Sequence, residues 1–355
     1  MTGVCVLLGY PYAYFMASTR GRLRLLLLGV VVVSALTSLL VRSYSWVVIL
    51  QQHGPLEDAF KAVGIPGVTL TGTTSGVVIA LAQILLPLMI LPLYAAMRRF
   101  DLTLLRAAQS LGSRPLMTFW RVYLPLTLPA LLAGCLLVFV ITLGFYVTPT
   151  LVGSSNHSLV SQIIVTEVSR LLAWGHAGAL SLVFVVVTIL FVGFVARVFR
   201  RGQEELVQGG RSPLSYGSDT VFTSLGLRVA ISVLVTLVSV VLIAPVIVVV
   251  LLSFTGGQTF EFPPPSWSFQ WYTEFFTNPA WTNALTESIK VGILATLLAT
   301  VLGTAAAFGL DRSNFPGKTL INGLLIAPLL VPLVIVAVGV YAVFLQWNLV
   351  GTTFG

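Results

Sequence analysis

The sequence predicts an all-α integral membrane protein, a polytopic helical bundle with about eight transmembrane helices. Three observations lead there. Hydrophobic residues make up 57 % of the 355-residue chain and charged residues 8 %, whereas a soluble domain carries about 25 % charged residues. The apolar residues gather in runs of about 20, the length a helix needs to cross a bilayer. Short alternating segments of the kind that build a strand barrel are absent, which leaves helices to satisfy the backbone in lipid.

Taken in order, apolar segments are expected at about 1–18, 24–50, 75–97, 127–150, 177–198, 228–254, 286–310 and 319–346. The first run, Val4 to Ala17, is short for a span, contains Pro11 and has no basic region before it, so it does not read as a cleavable signal peptide. It is expected to be part of a helix whose beginning lies upstream. Alternating the segments puts the loops near 20, 110, 210 and 315 on one side and those near 60, 160, 270 and the C-terminus on the other. Fifteen of the nineteen Lys and Arg residues fall in the first set, and only Arg42, Lys61, Arg170 and Lys290 in the second. An excess of basic residues marks the cytoplasmic face. The net charge of +8 is therefore a matter of orientation, with no basic patch interleaved with aromatics to suit nucleic acid. Cys5 and Cys135 lie within apolar runs and read as small buried hydrophobes.

The outer loops 51–74 and 255–287 carry Trp267, Trp271, Tyr272, Trp281 and a Pro263-Pro264-Pro265 run, which suits a membrane-interface belt or a surface for an external partner. Residues 199–227 are polar and rich in Gly and Ser, as a cytoplasmic linker would be. An internal repeat supports two units, 1–198 and 228–355, flanking that linker. Gly9 to Tyr44 begins GYPYAYF and Gly303 to Tyr341 begins GTAAAFG; Gly21 precedes Tyr44 by 23 positions and Gly317 precedes Tyr341 by 24. On this spacing both units are expected to be incomplete, the first at its start and the second at its end.

Between the third and fourth segments runs the stretch RAAQSLGSRPLMTFWRVYLP, Arg106 to Pro125. Arg106, Ala107 and Ala108 are good helix formers, Gly112 and Pro115 break that helix, and Met117 to Tyr123 begin a second one before Leu124 and Pro125. Its spacing, Ala107-Ala108, Gly112 four positions on, then Val122-Tyr123-Leu124-Pro125, resembles the EAA loop of bacterial ABC importer permeases. The acidic residue that usually opens that motif is Arg106 here, which puts in question any salt bridge made by that carboxylate. The same stretch also fits an ordinary amphipathic loop between two membrane helices.

Beyond the loop, GYPYAYF and LVRSYSW resemble the first permease of spermidine/putrescine-type importers, and FTGG, WSFQWYTEFF, NALTESIKVGILAT and GTAAAFG resemble the start of its sister permease. The resemblance implies a MetI-like permease fold in the bacterial inner membrane and a role as the transmembrane component of an ATP-driven importer. It further implies two ABC ATPase subunits that carry ATP and Mg, a periplasmic substrate-binding protein, surrounding membrane lipid and a polyamine substrate. Arg106, Ala107, Ala108, Gly112, Val122, Leu124 and Pro125 are then the residues that dock the ATPase. Importers of iron(III), thiosulfate, sulfate and opines have related permeases, and a secondary transporter is the alternative of another class.

Residues for catalysis are scarce. Gly317-Lys318-Thr319 imitates the end of a phosphate-binding loop, but that motif needs a Gly at position 312, which is Arg, so ATP is expected on a separate subunit. His53, His157 and His176 are scattered without neighbours at ligand spacing, and no metal site is expected. Asn156-His157-Ser158 matches a glycosylation acceptor, to which the resemblance to bacterial permeases gives no functional weight. Arg42, Glu167, Glu287 and Lys290 are placed near the outer ends of their segments, which leaves the solute path to aromatic and small polar groups. Tyr44, Trp46, Phe145 and Tyr146 are candidates to hold a cation against their ring faces, or alternatively to anchor the interface. Pro87, Pro92, Pro328 and Pro332 are expected to bend their helices, as hinges or as fixed packing features.

Overall fold

The computed structural model describes residues 1–65, 69–99, 103–154, 158–171, 173–203, 225–257, 262–313, 315–330 and 333–350. Asn156, His157, Pro332 and most of the 199–227 segment lie outside the described residues. The regular structure among the described residues is helical apart from one backbone bridge between Thr255 and Trp267. Its helices are α1 (Thr2–Ser18), α2 (Arg22–Leu36), α3 (Leu39–Leu50), α4 (Pro55–Ala62), α5 (Thr74–Arg98), α6 (Thr103–Ser110), α7 (Pro115–Thr118), α8 (Leu124–Leu143), α9 (Val147–Val152) and α10 (Val160–Ser169), then α11 (Trp174–Gln203), α12 (Leu225–Leu252), α13 (Gln270–Thr277), α14 (Pro279–Arg312), α15 (Lys318–Leu330) and α16 (Leu333–Gln346).

Among the described residues five helical stretches are long and apolar enough to cross a membrane: Thr74–Arg98, Pro115–Leu143, Trp174–Val195, Gly226–Leu252 and Pro279–Arg312. The expected span 24–50 is not straight. It breaks between α2 and α3, and the axis turns by 99° there. Thr37 and Ser38 leave helical geometry at the break, and the Thr37 hydroxyl bonds back to the Val33 carbonyl at 2.7 Å, a local bond that competes with helix continuation. The segments at 1–18 and 319–346 are built from the shorter helices α1, α15 and α16.

Contacts divide the chain into two compact units, Met1–Val249 with Val331–Gly355, and Val250–Leu330. In the first, α5 is the centre: Leu85, Leu86, Met89, Ile90 and Leu93 are essentially inaccessible, and α1 and α8 pack on it. Small residues let those helices approach. A Cβ on Gly9 of α1 would come within 3.0 Å of the Met89 side chain, and one on Gly134 of α8 within 2.8 Å of Met89 Sδ. α12 belongs to this unit through a seam of polar bonds. Tyr12 Oη pairs with Ser239 Oγ at 3.1 Å, Gln83 Nε2 donates to the Leu242 carbonyl at 3.1 Å, and Ser45 Oγ donates to the Pro245 carbonyl at 2.8 Å. The compact units therefore differ from the sequence division at 199–227, because α12, which follows that segment, is held by α1, α3 and α5. α16 packs near α10, where Tyr341 stacks with Trp174 at 6.0 Å between ring centroids.

In the second unit the turn after α12 is fixed by Gly256 N–H to the Ser266 carbonyl at 2.9 Å and Trp271 Nε1 to the Thr255 carbonyl at 2.8 Å. Phe254, Phe269 and Tyr272 cluster beside it. Trp267 and Trp281 stay more than half exposed, at 65 % and 54 %, which suits a membrane-interface belt and a partner surface alike.

Candidate functional site: the loop between α5 and α8

The stretch singled out by sequence spacing folds as helix, turn, helix. α6 ends in a left-handed Gly112 with φ of +86°, and the Ser113 N–H reaches back to the Ala108 carbonyl at 3.1 Å. That six-residue closure with glycine just past the helix end is the Schellman arrangement, and it is why glycine stands at 112. The second helix starts at Pro115, whose missing N–H falls where no intrahelical bond is due. Thr118 is fully buried and closes the turn through its hydroxyl, 2.9 Å from Ser113 Oγ and 3.2 Å from the Arg114 carbonyl.

The second helix continues through Leu124 and Pro125 into the membrane span. Pro115 to Leu143 runs on as one span, with a π-helical turn at Phe119–Tyr123 in its course. The Leu124 N–H bonds to the Phe119 carbonyl, five residues back. A wider turn at this point accommodates the missing N–H and the ring of Pro125 without breaking the helix.

The π turn displays an aromatic cluster. Phe119 stacks with Tyr123 at 5.9 Å and meets Tyr10 of α1 edge-on at 6.0 Å, while Tyr123 meets Tyr14 edge-on at 5.4 Å. Tyr10 Oη is 2.8 Å from Thr127 Oγ1 of α8. An apolar cavity of about 310 Å³ adjoins this cluster, lined by Phe119, Pro11, Leu227, Ile231 and Leu234. The start of the span that follows the loop is thus in direct contact with α1 as well as with the helices it joins. The sequence reading missed this contact because Tyr10 and Phe119 are far apart in the chain.

Burial sorts the predicted docking residues. Ala107 and Gly112 are exposed and Ala108 half-buried, whereas Val122, Leu124 and Pro125 are half-buried, with Val122 and Leu124 packed against the core. The Arg106 side chain lies outside the described residues. The apolar side chains that do face outward are others: Leu111 is 88 % exposed, Leu116 61 % and Trp120 60 %, with Met117 beside them. Exposed apolar groups rimmed by Arg114 and Arg121 are the chemistry of a protein-binding face. The signal in the sequence was the apolar content of LGSRPLMTFW, which spacing to Pro125 overshadowed.

The four candidate path aromatics do not share one environment. Tyr44 is 44 % exposed, while Trp46, two positions along α3 and so on its other side, is 4 % exposed and donates from Nε1 to Gln83 Oε1 at 3.1 Å. Phe145 and Tyr146 are half-buried in the turn from α8 to α9, where the Phe145 carbonyl accepts from Ser161 Oγ at 2.6 Å. Arg42 corrects the sequence reading. It is 7 % exposed, and its Nη1 donates to the Ile84 carbonyl, well within α5, at 3.1 Å. Its Nε has no hydrogen-bond partner among the described residues. It is the only charged side chain buried among them.

Residues 9–203, more than half the chain, match the profile of the family described as binding-protein-dependent transport system inner membrane component. The chain belongs to this family of permeases. The spermidine/putrescine transport system permease protein PotB of Haemophilus influenzae is 36 % identical over 209 residues, covering 58 % of this chain and 73 % of that protein. PotB of Escherichia coli is 35 % identical over 188 residues, covering 52 % of this chain and 68 % of its own length. The inner membrane ABC transporter permease protein YdcU of Escherichia coli is 31 % identical over 212 residues, or 56 % and 67 %. As a permease of this family the chain is a multi-pass inner-membrane component of an ABC transport system, working with an ATPase and a substrate-binding protein.

Proposed function

We propose that the chain is the permease of an ATP-driven importer of polyamines of the spermidine/putrescine class. The similarity to the PotB proteins over most of their length carries this reading. Two ATPase subunits hold the ATP and Mg, and one of them seats the 103–125 loop. Leu111, Leu116, Met117 and Trp120 supply the apolar contact, and Ala107, Ala108 and Gly112 supply the small surface and sharp turn beneath it. Closure of the ATPase pair moves the loop, and α5, α8 and α1 carry that movement into the bundle. Tyr44, Trp46, Phe145 and Tyr146 lie along the solute path. Residues 228–355 belong to a second permease unit.

The experiment is uptake of labelled spermidine and putrescine by transport-deficient cells expressing the chain with its ATPase and binding protein. Saturable, ATP-dependent polyamine uptake is expected, insensitive to excess sulfate or thiosulfate. A second reading, an anionic solute, is favoured by the buried Arg42, whose charge repels a polycation. Uptake of sulfate, thiosulfate or an iron(III) chelate without polyamine uptake would decide for it.

A further inference from the structure

Gln83 is 1 % exposed, within α5, and makes three hydrogen bonds through its amide inside the bundle. Its Nε2 donates to Ser34 Oγ of α2 at 3.2 Å and to the Leu242 carbonyl of α12 at 3.1 Å; its Oε1 accepts from Trp46 Nε1 of α3 at 3.1 Å. The partners dictate the orientation of the amide, since an indole N–H only donates and a backbone carbonyl only accepts. One side chain therefore ties three helices to a fourth.

Its place along α5 gives that junction a use. The 103–125 loop follows the end of α5 at Arg98, and Gln83 lies about 22 Å further back along the helix at 1.5 Å per residue. Pro87 and Pro92 stand between them. Each proline deletes a backbone bond, so this is the part of α5 that yields most readily to a bending load. Side-chain donors grip carbonyls close to prolines in both bent-prone helices. Arg42 holds Ile84, three residues before Pro87; Gln83 holds Leu242, three residues before Pro245; Ser45 holds the Pro245 carbonyl itself.

We infer that Gln83 is a positioning residue for transport, distributing movement that arrives from the loop along α5 to α2, α3 and α12 and holding Trp46 in register. The inference rests on the permease reading above, which makes the loop the point of input. In lipid no water replaces these bonds, so removing the amide leaves the Trp46 N–H and the Ser34 hydroxyl without this partner and frees α12 from α5 at that level.

The test is Gln83→Leu in the full chain, assembled with its ATPase and binding protein in proteoliposomes and assayed with spermidine. The expected result is a loss of ATPase stimulation by the loaded binding protein of about tenfold, with the substrate KM within about twofold of wild type and the complex still fully assembled at the assay temperature. Trp46→Phe and Ser34→Ala, each removing one bond, are expected to lower stimulation less, and to add nothing when combined with Gln83→Leu. Wild-type stimulation per assembled complex in Gln83→Leu would overturn the inference. If Gln83→Leu does not assemble, the single-bond variants decide: reduced stimulation in a fully assembled complex upholds it, and wild-type stimulation in both overturns it. A wild-type complex indifferent to spermidine would instead overturn the polyamine reading, and the same variants are then compared on the hydrolysis elicited by the unliganded binding protein.

Discussion

Replacing Gly112 isolates one property of the 103–125 loop, the left-handed turn, from every contact around it. The residue has φ of +86°, and a Cβ built there meets nothing within 4 Å. The whole cost of a side chain is thus backbone strain, about 1–2 kcal/mol for alanine, and more for β-branched valine. α6 has eight residues, too few to be stable as an isolated helix, so the loop has little reserve to absorb this. A penalty of that size shifts the ratio of correctly turned to misturned loop by roughly 5- to 30-fold. The assay is ATP-dependent uptake together with ATPase stimulation in the reconstituted complex, with membrane abundance measured on the same samples. Coupling should fall in the order Gly, Asn, Ala, Val, since asparagine enters the left-handed region most easily of the three, and membrane insertion should not change. Valine coupling as glycine does, or asparagine failing as badly as valine, would refute the reasoning.

Trp120→Ala should weaken co-purification of the ATPase by about 2 kcal/mol if this 60 % exposed ring is an anchor of the interface, and Leu111→Asp should act in the same direction; pull-down titration with the isolated ATPase reads both. Gly134→Leu drives a side chain into Met89 Sδ, which is 2.8 Å from an ideal Cβ, and should lower the stability of the solubilised protein by about 1–3 kcal/mol, whereas Gly3→Leu, in open space, should not. The Glu57 carboxyl is held below the usual range, first by the His53 backbone N–H and then by Lys61. A depressed folded value stabilises above the unfolded value and is lost as pH falls through the folded one. Amides 54–62 should therefore keep their hydrogen-exchange protection through neutral pH and lose it in acid below the ordinary glutamate range, and Glu57→Gln should abolish that dependence.

Much of the loop was legible in the sequence because its determinants are local. Gly112 and Pro115 act on their own backbone. The membrane class followed likewise from composition, since hydrocarbon imposes one solvent on every span. The 99° bend after α2 was not legible, as Thr37 and Ser38 interrupt an apolar run too gently for hydropathy to register. The π turn at Phe119–Tyr123, which lets the helix run on through Pro125, was not legible either, since no residue type in FWRVY marks it.

Composition and local backbone chemistry sufficed for the class and for the helix-turn-helix of the 103–125 loop, each set by a residue's own backbone or by its partition between water and lipid. Only the tertiary structure decided which loop residues face outward, that Arg42 is buried, and that Gln83 joins α2, α3 and α12 to α5. Those outcomes depend on pairs such as Tyr10 with Thr127, Ser45 with Pro245 and Gln83 with Leu242. A lone glutamine or arginine in an apolar run carries no mark of its partner; the partner is supplied when another helix brings a carbonyl within hydrogen-bonding distance and lipid withholds the water that would otherwise compete for it.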